Sequence, residues 1–347
     1  MNDRLQTRIG GLTLKNPLIA GSADHLMESE GIMASVNAGA GAVVVKSFSG
    51  QAGKKQTRAI ADYLALDTQW NPVPWGYGAP EDVTIAARPS ETGQSFSQWL
   101  EQCAQMTRYA GHQDCLLVAS LAQDDPAKNR KLAQQLAAAG IPALELSIKT
   151  GGDNDPSSLD RVVAVKTVRN LVADLRETIT IPLWVKLSAP QLLSPALAEA
   201  AFAAGADAVT VTESHTGFIP DLETFAPRLG GSIGVGGFWT LPLACQALVQ
   251  CRATVGPEKS LIGAGGARNG GDVARMLLAG ASAVGLASSI ILRGYQVIPA
   301  ALQQLEAYLS ARDLKVADLI GRAADNAKAP PKPHSDGDHW RQFMPSV

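Results

Sequence analysis

"SLIGAGGARNGGDVARMLLAGASAVGLASSII", Ser260 to Ile291, holds two strand–turn–helix units back to back. "SLIGAGG" is an aliphatic run that stops in glycines. "NGGDVARMLLAG" then reads as a helix with a polar start and a closing glycine at Gly280. Only a short link precedes the next aliphatic run, "SAVGLAS", which again stops in small residues before a helix start. A short strand, a crossover helix and another short strand form the unit from which parallel sheets are built.

The same grammar repeats outward from this stretch. "DDPAKNRKLAQQLAAAG" opens on an Asp cap with Pro in the first turn and closes on Gly140, and "SPALAEAAFAAG" closes on Gly205. The strand candidates are "PLIAGS", "AVVVKS", "CLLVASL", "ALELSI", "PLWVKLS", "DAVTVTE", "SLIGAGG" and "SAVGLAS". Runs such as Val43 to Val45 are apolar on both faces, as strands walled in by helices must be. Eight such units predict an α/β protein with a closed (β/α)8 TIM barrel, its active site at the C-terminal ends of the strands. An open doubly wound sheet is the competing arrangement.

Two regions break the rhythm. The segment from Ser47 to about Phe96 is rich in Gly, Pro and Trp and follows a strand's C-terminal end, where lids and binding loops belong. The last twenty residues, "KAPPKPHSDGDHWRQFMPSV", are Pro-rich and polar apart from Trp340 and Phe343 and read as a tail. The expected organisation is one barrel domain over residues 1–327, a lid-like insertion at about 48–95, and a tail at 328–347. The lid is expected to enclose substrate with Asn71, Trp75 and Tyr77.

Composition narrows the function classes. The 347 residues are 46% hydrophobic and 18% charged with a formal net charge of −2, which is a globular profile without the basic stripe that nucleic acid requires. Four separated cysteines without CxxC pairing suggest neither a zinc site nor a disulfide framework, so no metal is expected. No apolar run reaches the length of a membrane span, and "MNDRLQTRIGG" lacks a signal-peptide core, so a cytoplasmic location is expected.

The chemistry concentrates at strand ends. Backbone N–H groups at a glycine turn before a helix face an anion, and absent side chains let a phosphate approach. One such turn can be only a tight turn. Two in consecutive units, after the seventh and eighth strands, point to a phosphate site. A third cluster, "LGGSIGVGGFWTLP", precedes another helix.

Taken with "NPLIAGSA", "VVVKSFSG", "WVKLSAP" and "ADAVTVTES", this ordered series resembles the FMN-binding barrels of the dihydroorotate dehydrogenases and the pyrimidine-reducing domain of dihydropyrimidine dehydrogenase, from about Asn16 to Ile291. The resemblance implies FMN as cofactor. It places Gly21 and Ser22 against the flavin, Lys46 and Ser47 at the ring edge, Lys186 near N1 and O2, and Thr212 beside them. Gly236, Gly237, Gly265, Gly266, Ala287 and Ser288 would hold the ribityl phosphate. A lysine near N1 and O2 would stabilise the negative charge of a reduced flavin.

The family's base is missing. Where those proteins end the strand N-L-S-C-P-N or N-x-S-S-P-N, this chain has "ELSIKT", so Ile148 stands at the base position, and Glu145 and Thr150 replace two asparagines. "VTVTES" likewise offers Thr212 and Glu213 in place of an asparagine, followed by Ser214. The resemblance therefore implies an FMN-dependent oxidoreductase acting on a CH–CH or related bond of a small polar, cyclic substrate other than dihydroorotate. Substrate contacts are expected from Lys46, Asn71, Thr150, Glu213 and Ser214.

Candidates for proton transfer are Glu145, Ser147 and Lys149, which alternate along one strand and share a face if it stays extended. His25 and His215 follow the first and sixth strands and join them as candidates. A Glu145 ion pair with Lys149 or Lys186 is the structural alternative. Partners are expected to be the substrate and an electron acceptor, without nucleic acid or membrane, and a homodimer is left open. Competing readings are dihydroorotate oxidation with an unusual base, a flavoprotein without turnover, and a phosphate-binding barrel of the isomerase or aldolase type.

Overall fold

The computed structural model describes residues 3–49, 61–76, 79–90, 92–149, 160–189, 192–212, 215–327 and 344. Eight parallel strands close into a barrel in chain order: β1 (Leu18–Ala20), β2 (Ala42–Val44), β3 (Leu116–Ala122), β4 (Leu144–Lys149), β5 (Leu183–Ser188), β6 (Ala208–Thr212), β7 (Ser260–Ala264) and β8 (Ala283–Leu286). The ring closes where Val284 pairs with Leu18. All eight predicted strands are present, and the (β/α)8 expectation holds.

Helices α1 (Ser29–Asn37), α2 (Phe96–Gly111), α3 (Pro126–Ala138), α4 (Arg161–Arg176), α5 (Ser194–Ala203), α6 (Leu241–Val255), α7 (Gly270–Leu278) and α8 (Ser288–Arg293) follow the strands in turn, and α9 (Val297–Ser310) packs beside α7. Their starts are set by capping. Asp125 accepts from the Lys128 N–H, Asp160 from the N–H groups of Val162 and Val163, and Asn269 from that of Asp272. Gly140, at φ +78°, turns the chain from α3 back toward β4.

Strand alternation separates two cores. Outward residues such as Leu144, Leu146, Ile148, Val185 and Leu187 belong to the large cluster shared with the helices. Inward residues Ile19, Val44, Val118, Trp184 and Ile262 fill the lower barrel. Ile9 and Leu14, from the antiparallel pair Thr7–Ile9 and Leu12–Leu14, join that inner cluster and plug the barrel from below. The lower barrel is thus packed with apolar side chains, and Glu145, Lys186 and Thr210 face inward nearer the C-terminal end, where the site opens.

The expected lid is part of a larger structure. Strands Asp62–Leu66, Pro72–Val73 and Thr84–Arg88 from the insertion join His215–Gly217 and Ile233–Gly237 from the β6–α6 connection in one five-stranded antiparallel sheet. Gly236 pairs with Ile85 and Gly237 with Thr84. The "GVGG" stretch, expected as a glycine turn, is thus an inner strand of that sheet. Its last residue has to be glycine: a Cβ on Gly237, at φ +150°, would lie 2.7 Å from the Val83 carbonyl oxygen. Trp239 Nε1 donates to Thr84 Oγ1 (3.2 Å), fastening the α6 entrance to the insertion. Among the described residues no helix is long and apolar enough to cross a membrane.

Candidate active site

Between the barrel mouth and this sheet lies a cavity of about 370 Å³, within the size range of small-molecule sites. Trp184, Ile19, Val44 and Ile262 form its floor. Small residues, Gly21, Ala264, Gly285 and Ala287, make one wall, and Glu145, Lys186, Ser188 and Thr210 make a polar one. Tyr63, Ile85, Ala87 and Val235 of the added sheet face it from above.

The polar wall follows from strand period and register. Glu145 pairs with Trp184 and Ser147 with Lys186 across β4 and β5, so these side chains point into the same lumen. Glu145 is only 3% exposed, and its Oε1 accepts from Ser120 Oγ (2.9 Å) with Lys186 Nζ 3.3 Å away. Ser47 Oγ lies 2.8 Å from Ser120 Oγ and 3.2 Å from Ser22 Oγ. A hydroxyl has one proton to give, and an ionised carboxylate can only accept. With Ser120 donating to Glu145, Ser47 must donate to Ser120 and Ser22 to Ser47. The three hydroxyls form one chain directed at the carboxylate. Ser47 reaches Ser120 because β2 continues as an extension: the Phe48 N–H donates to the Ser120 carbonyl, and the Ala122 N–H to that of Phe48.

In the same extension of β2, Lys46 lines the cavity and pairs with Asp24, Nζ to Oδ1 2.6 Å. Asp24 also accepts from the Tyr63 hydroxyl and, at 3.4 Å, from the Ser90 N–H and hydroxyl. One carboxylate therefore ties the barrel to the insertion. Burial, and then the hydrogen bond to Asp24, pushes the Tyr63 phenol far above its ordinary range.

Glu145, Ser22, Lys46, Lys186, His215, Gly21, Gly236, Ala287 and Ser288 line one cavity. Ser47 joins it through the serine chain, and Ser147 shares the inward face of β4, whereas Lys149 is exposed at the strand end. His215 sits with its ring centroid 5.2 Å from that of Trp239. Gly237 lies against Val83. Gly265 and Gly266, with positive φ, are turned onto the start of α6, where a Cβ on Gly266 would meet the Leu241 nitrogen at 2.5 Å.

His25 faces elsewhere. It lines a second cavity of about 300 Å³ with Trp75, Tyr295 and Ile290, and neither ring nitrogen has a hydrogen-bond partner among the described residues. Burial lowers its pKa to about 4, opposed by the charge of Asp24. Trp75 belongs to that second cavity, and Asn71 is exposed in the turn that starts at Asp67. Thr212 is the last residue of β6. Thr150, Glu213, Ser214 and Tyr77 lie outside the described residues. The position expected for a base, Ile148, points outward into the core between barrel and helices.

Sequence reasoning missed Asp24, Tyr63 and Ser120. Ser120 had a usable signal, a polar residue at an inward position of an otherwise aliphatic run. Asp24 and Tyr63 come together only through the tertiary fold.

A family model for dihydroorotate dehydrogenase matches residues 97–309. A protein of Desulforudis audaxviator named dihydroorotate dehydrogenase B (NAD(+)), catalytic subunit, is 28% identical over 331 residues, covering 93% of this chain and 98% of that protein. One of the same name from Saccharolobus solfataricus is 34% identical over 157 residues, 45% of this chain and 53% of that protein. A crystal structure of DHODH in complex with ferulenol from Eimeria tenella superposes with a TM-score of 0.68 at 18% identity, covering 94% of this chain and 89% of that one, and shows the shared fold. With a barrel closed in chain order and a family match over more than half its length, the chain belongs to the dihydroorotate dehydrogenase family, a family of oxidoreductases.

Proposed function

We propose that the protein is an FMN-dependent oxidoreductase that acts on a CH–CH or related bond of a small polar, cyclic substrate other than dihydroorotate. The carrying observation is the pairing, in one covered cavity, of a flat wall of small residues with a buried Glu145–Lys186 edge.

The residues present suit FMN. Glycines at 21 and 285 keep one wall flat: a Cβ on Gly285 would lie 3.6 Å from Ala264 Cβ, and one on Gly21 would lie 3.8 Å from Ala287 Cβ. Ser288 lines the cavity where β8 passes into α8, and the buried hydroxyl of Ser289 beside it has no partner among the described residues, which suits an anionic group there. FMN, when bound, supplies two-electron hydride acceptance.

The protein's own part is to hold substrate out of water and to take a proton. Glu145 accepts that proton at Oε2, since Ser120 and Lys186 both contact Oε1. Lys186 lies 3.3 Å from Glu145 Oε1 as its countercharge, and the hydroxyls of Ser120, Ser47 and Ser22 can rotate as a proton arrives. The added sheet, fastened by Asp24 to Tyr63 and Ser90, closes the cavity above.

The test is the visible spectrum of the purified full-length protein, with the released chromophore identified by chromatography. A flavin band that releases FMN supports the reading. Colourless protein that takes up no FMN on reconstitution contradicts it.

A further inference from the structure

Away from the barrel mouth, a polar recess of about 210 Å³ is lined from the start of α7, the end of α8 and the first turns of α9. Among the described residues it shares no lining side chain with the main cavity. Arg268, Arg293, Asn269, Gln304 and Glu81 line it. Both amides present donors. Asn269 Oδ1 accepts from the Asp272 N–H (3.0 Å) and Gln304 Oε1 from the Gly270 N–H (2.9 Å). A backbone N–H on each oxygen fixes the amide and leaves its NH2 end to donate elsewhere.

The guanidiniums are under-used as well. Arg268 is held through Nε on Asp272 (2.9 Å) and lies over the Phe238 ring, and its two terminal nitrogens make no hydrogen bond among the described residues. Asp272, 1% exposed, also pairs with Arg275, so one carboxylate answers two guanidiniums. Arg293 donates to Glu81 through Nη1 (2.8 Å), and its Nε is buried with no partner among the described residues. Glu81 is 47% exposed. An ion pair so open to water contributes little, so an incoming anion can displace that carboxylate.

We propose that this recess is a second binding site, for a phosphate group held by Arg268, Arg293, Asn269 and Gln304 in competition with Glu81. Phosphate fits the donor set better than a carboxylate does. Two guanidiniums and two amides offer more N–H groups than the two oxygens of a carboxylate can accept, and a guanidinium fork matches phosphate oxygens. The recess is smaller than the roughly 300–1,000 Å³ usual for larger ligands, so the occupant is the free ion or a small phosphoester. Glu81 precedes the strand Thr84–Arg88 of the added sheet, so a phosphate on Arg293 unties the insertion from α8 at this point.

The experiment is isothermal titration of the full-length protein, loaded with FMN and freed of excess, with inorganic phosphate and with glycerol phosphate. Wild type is expected to bind one phosphate. Arg293→Gln should weaken binding at least about tenfold. Gln304→Glu should do the same, since it keeps the acceptor for the Gly270 N–H and replaces only the donor end. Glu81→Gln, which removes the competitor, should strengthen binding about threefold or more. Arg312→Gln makes the same charge change as Arg293→Gln just past the far end of α9 and should leave binding unchanged. Tighter binding of glycerol phosphate supports a phosphoester occupant, and tighter binding of inorganic phosphate supports the free ion. Phosphate binding unchanged in a folded Arg293→Gln or Gln304→Glu protein, or weakened by Glu81→Gln, overturns the proposal. So does an equal loss in Arg312→Gln, which would show a response to overall charge alone.

Discussion

Glu145 and Lys186 meet 3.3 Å apart across adjacent barrel strands, and their exposures are unequal: 3% for the carboxylate and 19% for the ammonium. Removing either partner should therefore have unequal consequences. Lys186→Met strands a buried carboxylate and should cost roughly 3–5 kcal/mol of stability. Glu145→Gln strands a lysine on a flexible stem that can reach toward water, and should cost about 1–2 kcal/mol. The double variant should recover part of the larger loss. Urea denaturation of the three proteins measures this, and a Lys186→Met protein as stable as wild type would mean that the pair contributes nothing.

Ser288 lines the cavity at the start of α8, where the proposal puts the phosphate. Ser288→Asp sets a carboxylate against that phosphate and should remove most copurified flavin, while Ser288→Ala retains it. Flavin absorbance per protein, read beside a melting curve, checks both. Full flavin content in a folded Ser288→Asp protein would move the phosphate elsewhere.

His25 should make the fold acid-sensitive. Its pKa falls from the ordinary 6.5 to about 4 through burial, so between those values the unfolded chain binds a proton that the folded chain refuses. Stability from this group is complete above pH 6.5 and is lost as pH falls toward 4. Relative to His25→Gln, wild type should lose about 2 kcal/mol between pH 7 and pH 5. Equal pH dependence in the two proteins would show that the imidazole titrates freely.

The barrel could be read from residues because its signals are local. Eight aliphatic runs, capped helix starts and closing glycines each declare themselves within a few positions, and strand period alone puts Glu145 and Lys186 on inward faces. The second sheet could not be read in the same way. It pairs Thr84–Arg88 with Ile233–Gly237 across the width of the chain, and its "GVGG" strand lacks the β-branched alternation that marks strands, so it reads as a turn. Asp24 escaped notice for a related reason. Nothing near it in sequence shows that Lys46, Tyr63 and Ser90 will converge on it. The first histidine after β1 looked like a candidate for proton transfer, yet its ring is carried into a neighbouring cavity by the short helical turn Asp24–Leu26.

The central claim is a flavin barrel whose substrate site has been rebuilt around Glu145 with no residue of proton-accepting chemistry at Ile148. It is tested most directly by adding dihydroorotate to the purified protein without oxygen and following the visible flavin band. The band should be present and should persist, in wild type and in Ile148→Cys alike, because residue 148 faces the outer core and Lys46 is already paired with Asp24. Rapid bleaching of the wild-type flavin by dihydroorotate would contradict the account.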